Sequence, residues 1–199
     1  MPKSKERCQE IRAEMRSTIL QKSLLYFARN GFAGTKIGDL SRSIGIAQGT
    51  IYVYFQSKED LFQEILKIAD SQETVQQMEQ LASLPIPAKQ KIRILSETIL
   101  SRLEADETFA AMIALNTQML LEKNEAYASG ETTYQTNLYD YTAQIIRQGQ
   151  QEQSMVAGSP MKLADYYWGV VYLYSLKRLF TTQYEMITAE DLERTVMKG

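Results

Sequence analysis

The chain has 199 residues, 44% of them hydrophobic and 23% charged, with 4 Pro and 10 Gly: the composition of a folded globular protein that buries a core without metal or disulfide support. It has no histidine and one cysteine, Cys8, which excludes histidine-based triads, histidine metal ligands and an intramolecular disulfide, and fits a reducing compartment. The net charge of −2 hides a division, because residues 1–58 carry ten Lys/Arg against four acids (+6) and the remainder is −8, so a polyanion-binding head on an acidic body is expected.

The N-terminal run MPKSKERCQEIR lacks an apolar signal core, and its first seven residues read as a tail. Residues 9–30 then place Ile11, Met15, Ile19, Leu20, Leu24, Phe27 and Ala28 at helical spacing, with Asn30-Gly31 as a left-handed stop. A short helix is expected from about Lys36 to Ser43, with Thr35 as its N-cap, and a second from about Gln48 to Phe55. Ser57-Lys58-Glu59-Asp60 resembles a capping box and opens a long helix that fades near Leu81. Leu84-Pro85-Ile86-Pro87 interrupts the chain, and a helix from about Ala88 to Leu103 follows. Asp106 caps the next helix, and Ser129-Gly130 separates it from another at about 132–150. Ser159-Pro160 marks the cap and first turn of a helix that runs to about Gln183. Thr188-Ala189-Glu190-Asp191 caps a short terminal helix. The expected fold is all-α with about nine helices, divided into a head at 1–57 and a body at 58–199. The longest apolar stretch, Tyr166 to Tyr174, is far below the roughly 20 residues of a membrane span, so no membrane partner and a cytoplasmic location are expected.

The informative segment lies between Thr35 and Phe62. Two short helices joined by Ile44-Gly45-Ile46-Ala47 have helix-turn-helix spacing. Gly45 supplies the positive φ of the turn, Ser41 is small where the helices approach, and Ile37, Leu40, Ile44, Ile46 and Ile51 form a miniature core. The outer face of the second helix keeps Gln48, Gly49, Thr50, Tyr52, Val53 and Tyr54. Hydroxyls and an amide suit phosphates and base edges, and Gly49 lets a backbone come close. On spacing alone, a helical hairpin packed for stability remains an alternative.

Gly31-Phe32-Ala33-Gly34-Thr35-Lys36-Ile37, followed by Ile44 through Phe62 with the string Gly49-Thr50-Ile51-Tyr52-Val53-Tyr54-Phe55-Gln56-Ser57-Lys58-Glu59, resembles the DNA-binding head of the TetR family of bacterial transcriptional regulators. The resemblance covers roughly residues 9–65, with weaker likeness at Ile146–Gln150 and Pro160–Gly169. It implies phosphate contacts from Thr35, Lys36, Tyr52, Tyr54 and Lys58, and a major-groove face formed by Gln48, Gly49, Thr50 and Val53. Tyr52 and Tyr54 also read as half-buried packing, and Lys58 as a first-turn lysine without a contact. Ala47 stands where the family often has Ser or Thr, and Gln48 where it often has Lys or Arg. Lys3, Lys5 and Arg7 read either as a basic arm or as a solvated tail.

The resemblance further implies a homodimer on palindromic operator DNA, with recognition helices about 34 Å apart, released by an effector bound in the C-terminal domain. Repression is the expected mode. The helices at 132–150 and 160–183 are the expected dimer bundle, with Tyr141, Ile145, Trp168 and Val171 at its interface. A small organic, partly apolar effector is expected on Phe109, Met112, Asn116, Met119, Tyr167 and Tyr174, although ordinary core is the competing reading of each. No cofactor or metal is expected. An enzyme is disfavoured, since there is no histidine, phosphate loop or recognisable carboxylate pair. A helix-turn-helix used for protein interaction and a DNA binder that senses no small effector are the remaining alternatives.

Overall fold

A computed structural model describes residues 2–69, 72–121 and 134–198. Among the described residues the regular structure is ten helices: α1 (Pro2–Asn30), α2 (Ile37–Ile44), α3 (Gln48–Tyr54), α4 (Lys58–Ala69), α5 (Gln72–Ser83), α6 (Ala88–Ala105), α7 (Glu107–Leu121), α8 (Tyr134–Gln151), α9 (Pro160–Phe180) and α10 (Ala189–Glu193). Among the described residues the remaining ladder pairing is one antiparallel bridge, Met155 to Met197. The helix expected from Lys58 to Leu81 appears as α4 and α5; its continuity depends on residues 70 and 71, which lie outside the described residues. The chain divides into two compact units, Met1–Ala69 and Asp70–Gly199. The observed division differs from the expected boundary at 57/58 by α4. That helix sides with the head because Leu61, Phe62 and Ile65 are buried there.

In the first unit, α1 begins at Pro2 and not near residue 9, so the basic N-terminus is helical and not an irregular tail. Residues 6–14 are exposed, whereas Ile19, Leu20, Leu24, Phe27 and Ala28 form the buried stripe. Gly31, at φ 74°, ends the helix with its N–H on the Phe27 carbonyl at 2.8 Å. Phe27, Phe32 and Phe62 then meet as a three-ring cluster, with centroids 5.7, 5.4 and 4.3 Å apart, locking α1 and α4 around the loop between α1 and α2. Ile37, Leu40, Ile44 and Ile51 close the core from α2 and α3. Gly45, at φ 85°, makes the turn and donates to the Ser41 and Arg42 carbonyls. Ser57 Oγ accepts from the Asp60 N–H at 3.0 Å and opens α4, while the Asp60 carboxylate accepts from the Gln56 N–H at 2.8 Å.

The second unit packs α9 against α7 and α8, and α6 against α8 and α10. The Pro85–Pro87 interruption is held by a polar chain that starts from the buried Lys91. Lys91 Nζ donates to the Ala82 carbonyl at 2.6 Å and to Gln148 Oε1 at 2.7 Å. Gln148 Nε2 donates to the Ile86 carbonyl at 3.0 Å, and Glu152 accepts from the Ala88 N–H at 2.9 Å, capping α6. Arg93 and Glu193 form a two-bond ion pair, at 2.9 and 3.0 Å, that ties α10 to α6. Thr188 and Asp191 make the expected capping box. Helix α9 stops at Phe180 instead of Gln183, because Thr181 turns to extended backbone. No helix among the described residues is long and apolar enough to cross a membrane.

Candidate nucleic-acid interface and ligand cavity

Helix α3 buries one residue, Ile51, and turns the rest of its length outward. Val53 is 62% exposed and Tyr52 49%, while Gln48 and Gly49 are exposed and Thr50 and Tyr54 half-buried. An ideal Cβ placed on Gly49 meets nothing within 4 Å, so no internal packing requires glycine there. Gln48 lies beside α2, its Oε1 3.3 Å from the Cβ position of Gly38. Ala47 is the N-cap and contributes no side-chain hydrogen bond, leaving the first N–H groups of α3 without a side-chain cap. Lys36 is exposed and is itself the N-cap of α2, in place of the expected Thr35.

Two of the expected phosphate-contacting side chains are hydrogen-bonded within the head. Thr35 is buried, and its hydroxyl donates to the Gly31 carbonyl at 2.6 Å. Lys58 turns its ammonium into the head, donating to the Phe32 and Thr35 carbonyls at 3.0 and 3.2 Å and sitting 4.3 Å from the Phe32 ring centroid. Both side chains fasten the 31–36 loop. Other head cations are similarly committed: Lys22 donates to the Ile44 carbonyl at the end of α2, at 3.2 Å, and Arg16 pairs with Glu64 at 2.5 Å. Lys67 and Arg16 together hold the Glu64 carboxyl below its usual range. Arg16 is thus neutralised by Glu64, whereas Lys22 and Lys58 keep their charge while bonded to neutral carbonyls.

One residue near that face escaped the sequence reading. Arg12 of α1 stands 5.8 Å from the Tyr54 ring centroid, in a notch of about 340 Å³ shared with Gln9, Arg16 and Val53. Its signal in the sequence was only its basicity, because the meeting of α1 with the end of α3 is tertiary.

In the second unit a cavity of about 270 Å³ opens among α5, α6, α7, α8 and α9. Of the expected effector residues, Phe109, Met112 and Asn116 line it together, from one side of α7. The Met119 side chain lies outside the described residues. Tyr167 is corrected: it is fully buried core, its hydroxyl 3.0 Å from Ser96 Oγ, and burial pushes its phenol pKa up. Tyr174 is also off the cavity, against Tyr184 and Lys177. Residues not anticipated complete the wall, notably Arg102 and Thr98 of α6, Leu138 and Tyr139 of α8, and Trp168 of α9. Trp168 Nε1 donates to Thr142 Oγ1 at 3.1 Å, which fixes the indole against the Tyr139 ring. Burial, and next the nearby Asp165, push the Tyr139 pKa up.

The expected dimer residues are also redistributed. Ile145 and Val171 are buried inside the protomer, and Trp168 belongs to the cavity wall. Tyr141 is half-buried. The outward side of α9 instead carries Tyr166 (60% exposed), Leu173 (49%) and Phe180 (55%), seven residues apart, with Gly169 between the first two.

A four-helix head that presents the outer side of a short second helix from a helix-turn-helix is the form of a DNA-binding regulator. Residues 19–65 match the model of the bacterial regulatory proteins of the tetR family. The chain is 30% identical over 106 residues to the HTH-type transcriptional regulator AcrR of Shigella flexneri, covering 53% of this chain and 46% of that protein. It is 28% identical over 97 residues to the fatty acid metabolism regulator protein of Bacillus subtilis (strain 168), covering 49% of this chain and 50% of that one. The matches thus span about half the length of these curated relatives. A TetR-family transcriptional regulator from Agrobacterium tumefaciens has the same fold, with a TM-score of 0.66 at 19% identity over 92% of this chain and 97% of the other. Residues 19–65 are thus similar to the DNA-binding head of the tetR family of bacterial regulatory proteins, and the fold is shared with a TetR-family regulator.

Proposed function

We propose that the protein is a ligand-responsive repressor that binds palindromic operator DNA as a homodimer in the cytoplasm. The observation that carries this reading is the outward side of α3, where Gln48, Gly49, Tyr52 and Val53 are exposed on a helix anchored by a single buried residue. In this reading Gln48, Gly49, Thr50 and Val53 face the major groove, Lys36, Tyr52 and Tyr54 meet phosphates, and Arg12 adds a phosphate contact beside Tyr54. Thr35 and Lys58 hold the loop that positions α2.

The dimer forms through α8 and α9, the latter offering Tyr166, Leu173 and Phe180 to a second copy, with Gly169 allowing close helix approach. Seven-residue spacing of large apolar groups along one exposed side suits a helix-on-helix contact, and a monomer would leave that stripe in water. The effector occupies the cavity lined by Phe109, Met112 and Asn116. It weakens operator binding only by its differential affinity for the DNA-free form.

Fluorescence anisotropy on the DNA upstream of the protein's own gene, against scrambled DNA across a salt series, tests the reading. Binding more than tenfold tighter to the upstream duplex, with a steep salt slope, is expected. Equal, salt-insensitive binding to both duplexes counts against a DNA-reading head and favours a protein-interaction module.

A further inference from the structure

Asn116 is 7% exposed and lines the cavity. A largely buried side-chain amide favours a hydrogen-bonding partner, and the cavity is where a ligand can supply one. The charge comes from Arg102, whose guanidinium carbon lies 3.9 Å from the Phe109 ring centroid. Arg102 is the one charged side chain among the described residues that line the cavity, and no carboxylate is among them. Phe109 and Asn116 are seven residues apart on the same side of α7, about 10 Å along its axis. Met112 and Ile113 make the wall between them apolar.

We propose that this cavity selects an amphipathic organic carboxylate carrying a second polar group at its far end. The carboxylate lies at Arg102, an aliphatic body crosses Met112 and Ile113, and a hydroxyl or carbonyl about 10 Å away satisfies the Asn116 amide. A cationic amphiphile finds no carboxylate among the described lining residues, and the Phe109 face that would receive it by a cation–π contact already carries Arg102. The assignment rests on the effector-cavity reading above.

Trp168 is the only tryptophan in the chain and stands in the cavity wall, so its emission reports binding directly. The probes are octanoate, ω-hydroxyoctanoate, octan-1-ol and octyltrimethylammonium, each below its micelle concentration. Octanoate is expected to bind about tenfold tighter than the cationic probe, and Arg102→Gln to abolish that difference. The ω-hydroxyl is expected to add about another tenfold, lost in Asn116→Leu. Asn116→Leu is also expected to raise the melting temperature of the empty protein, whereas a structural amide would lower it when replaced. Cationic binding equal to or tighter than octanoate overturns the charge assignment and leaves the cavity as a ligand site. An ω-hydroxyl without effect, or a lowered melting temperature for Asn116→Leu, overturns the role of Asn116. Silence of Trp168 to all four probes overturns both the assignment and the ligand-site reading.

Discussion

Gly49 separates function from stability at a single atom. Glycine in a helix costs about 0.5–1 kcal/mol relative to alanine, and nothing in the head needs the missing Cβ. Gly49→Ala is therefore expected to raise the unfolding free energy by up to about 1 kcal/mol while weakening operator binding. Chemical denaturation and anisotropy on the same variant check both signs. Lys58 makes the opposite case. Its two carbonyl contacts and the Phe32 ring predict that Lys58→Ala destabilises the head by about 1–3 kcal/mol. The salt slope of DNA binding is expected to stay unchanged, whereas loss of a phosphate contact would reduce it by about 1. The sequence marks Lys58 as basic and well placed for either role. Which way its ammonium turns depends on where the 31–36 loop lies, and that is a tertiary fact. The buried Thr35 hydroxyl was illegible for the same reason. Gly45 was legible because a positive φ is a local demand that glycine meets best.

Helices were read well where one face is apolar and both ends carry local signals. Helix α2 shows both, with buried Ile37, Leu40 and Ile44 and a glycine stop. Helix α9 shows why partner faces were not readable: it is apolar nearly all round, so periodicity could not separate the side carrying Val171 from the side carrying Leu173. The dimer prediction therefore moves to the exposed side. Leu173→Glu is expected to leave the far-ultraviolet spectrum unchanged and to turn a dimer into a monomer, by light scattering at micromolar concentration. Val171→Ala, by contrast, is expected to lower stability by about 0.5–3 kcal/mol as a core truncation. Between α1 and α4, the depressed Glu64 pKa has a directional consequence. A carboxylate whose folded pKa lies below its ordinary 4.5 stabilises the fold above that pH, and the contribution is lost as pH falls through the folded value. Glu64→Gln is expected to flatten the decline in melting temperature below about pH 5 and to lower it near neutrality.

For the whole molecule, the sequence marked its basic head and acidic body, but not how much of that head charge is free. Lys22 and Lys58 keep their charge but direct their ammonium donors at carbonyls, and Arg16 is paired with Glu64, so fewer head cations are free for direct phosphate contact than the composition suggests. The cavity was half legible. The run Phe109, Met112, Asn116 declared one wall by its spacing, while the walls from α6, α8 and α9 depended on packing across the chain. The central claim is that the outward side of α3 reads DNA sequence in a two-fold dimer, and selection from a pool of random duplexes tests it most directly. The account predicts enrichment of a palindrome whose half-sites lie about one helical turn or a multiple apart, with Gln48→Ala changing the preferred base at one symmetric pair of positions. Failure to enrich any sequence, or the same palindrome at the same strength from a protein carrying both Gln48→Ala and Val53→Ala, would contradict it.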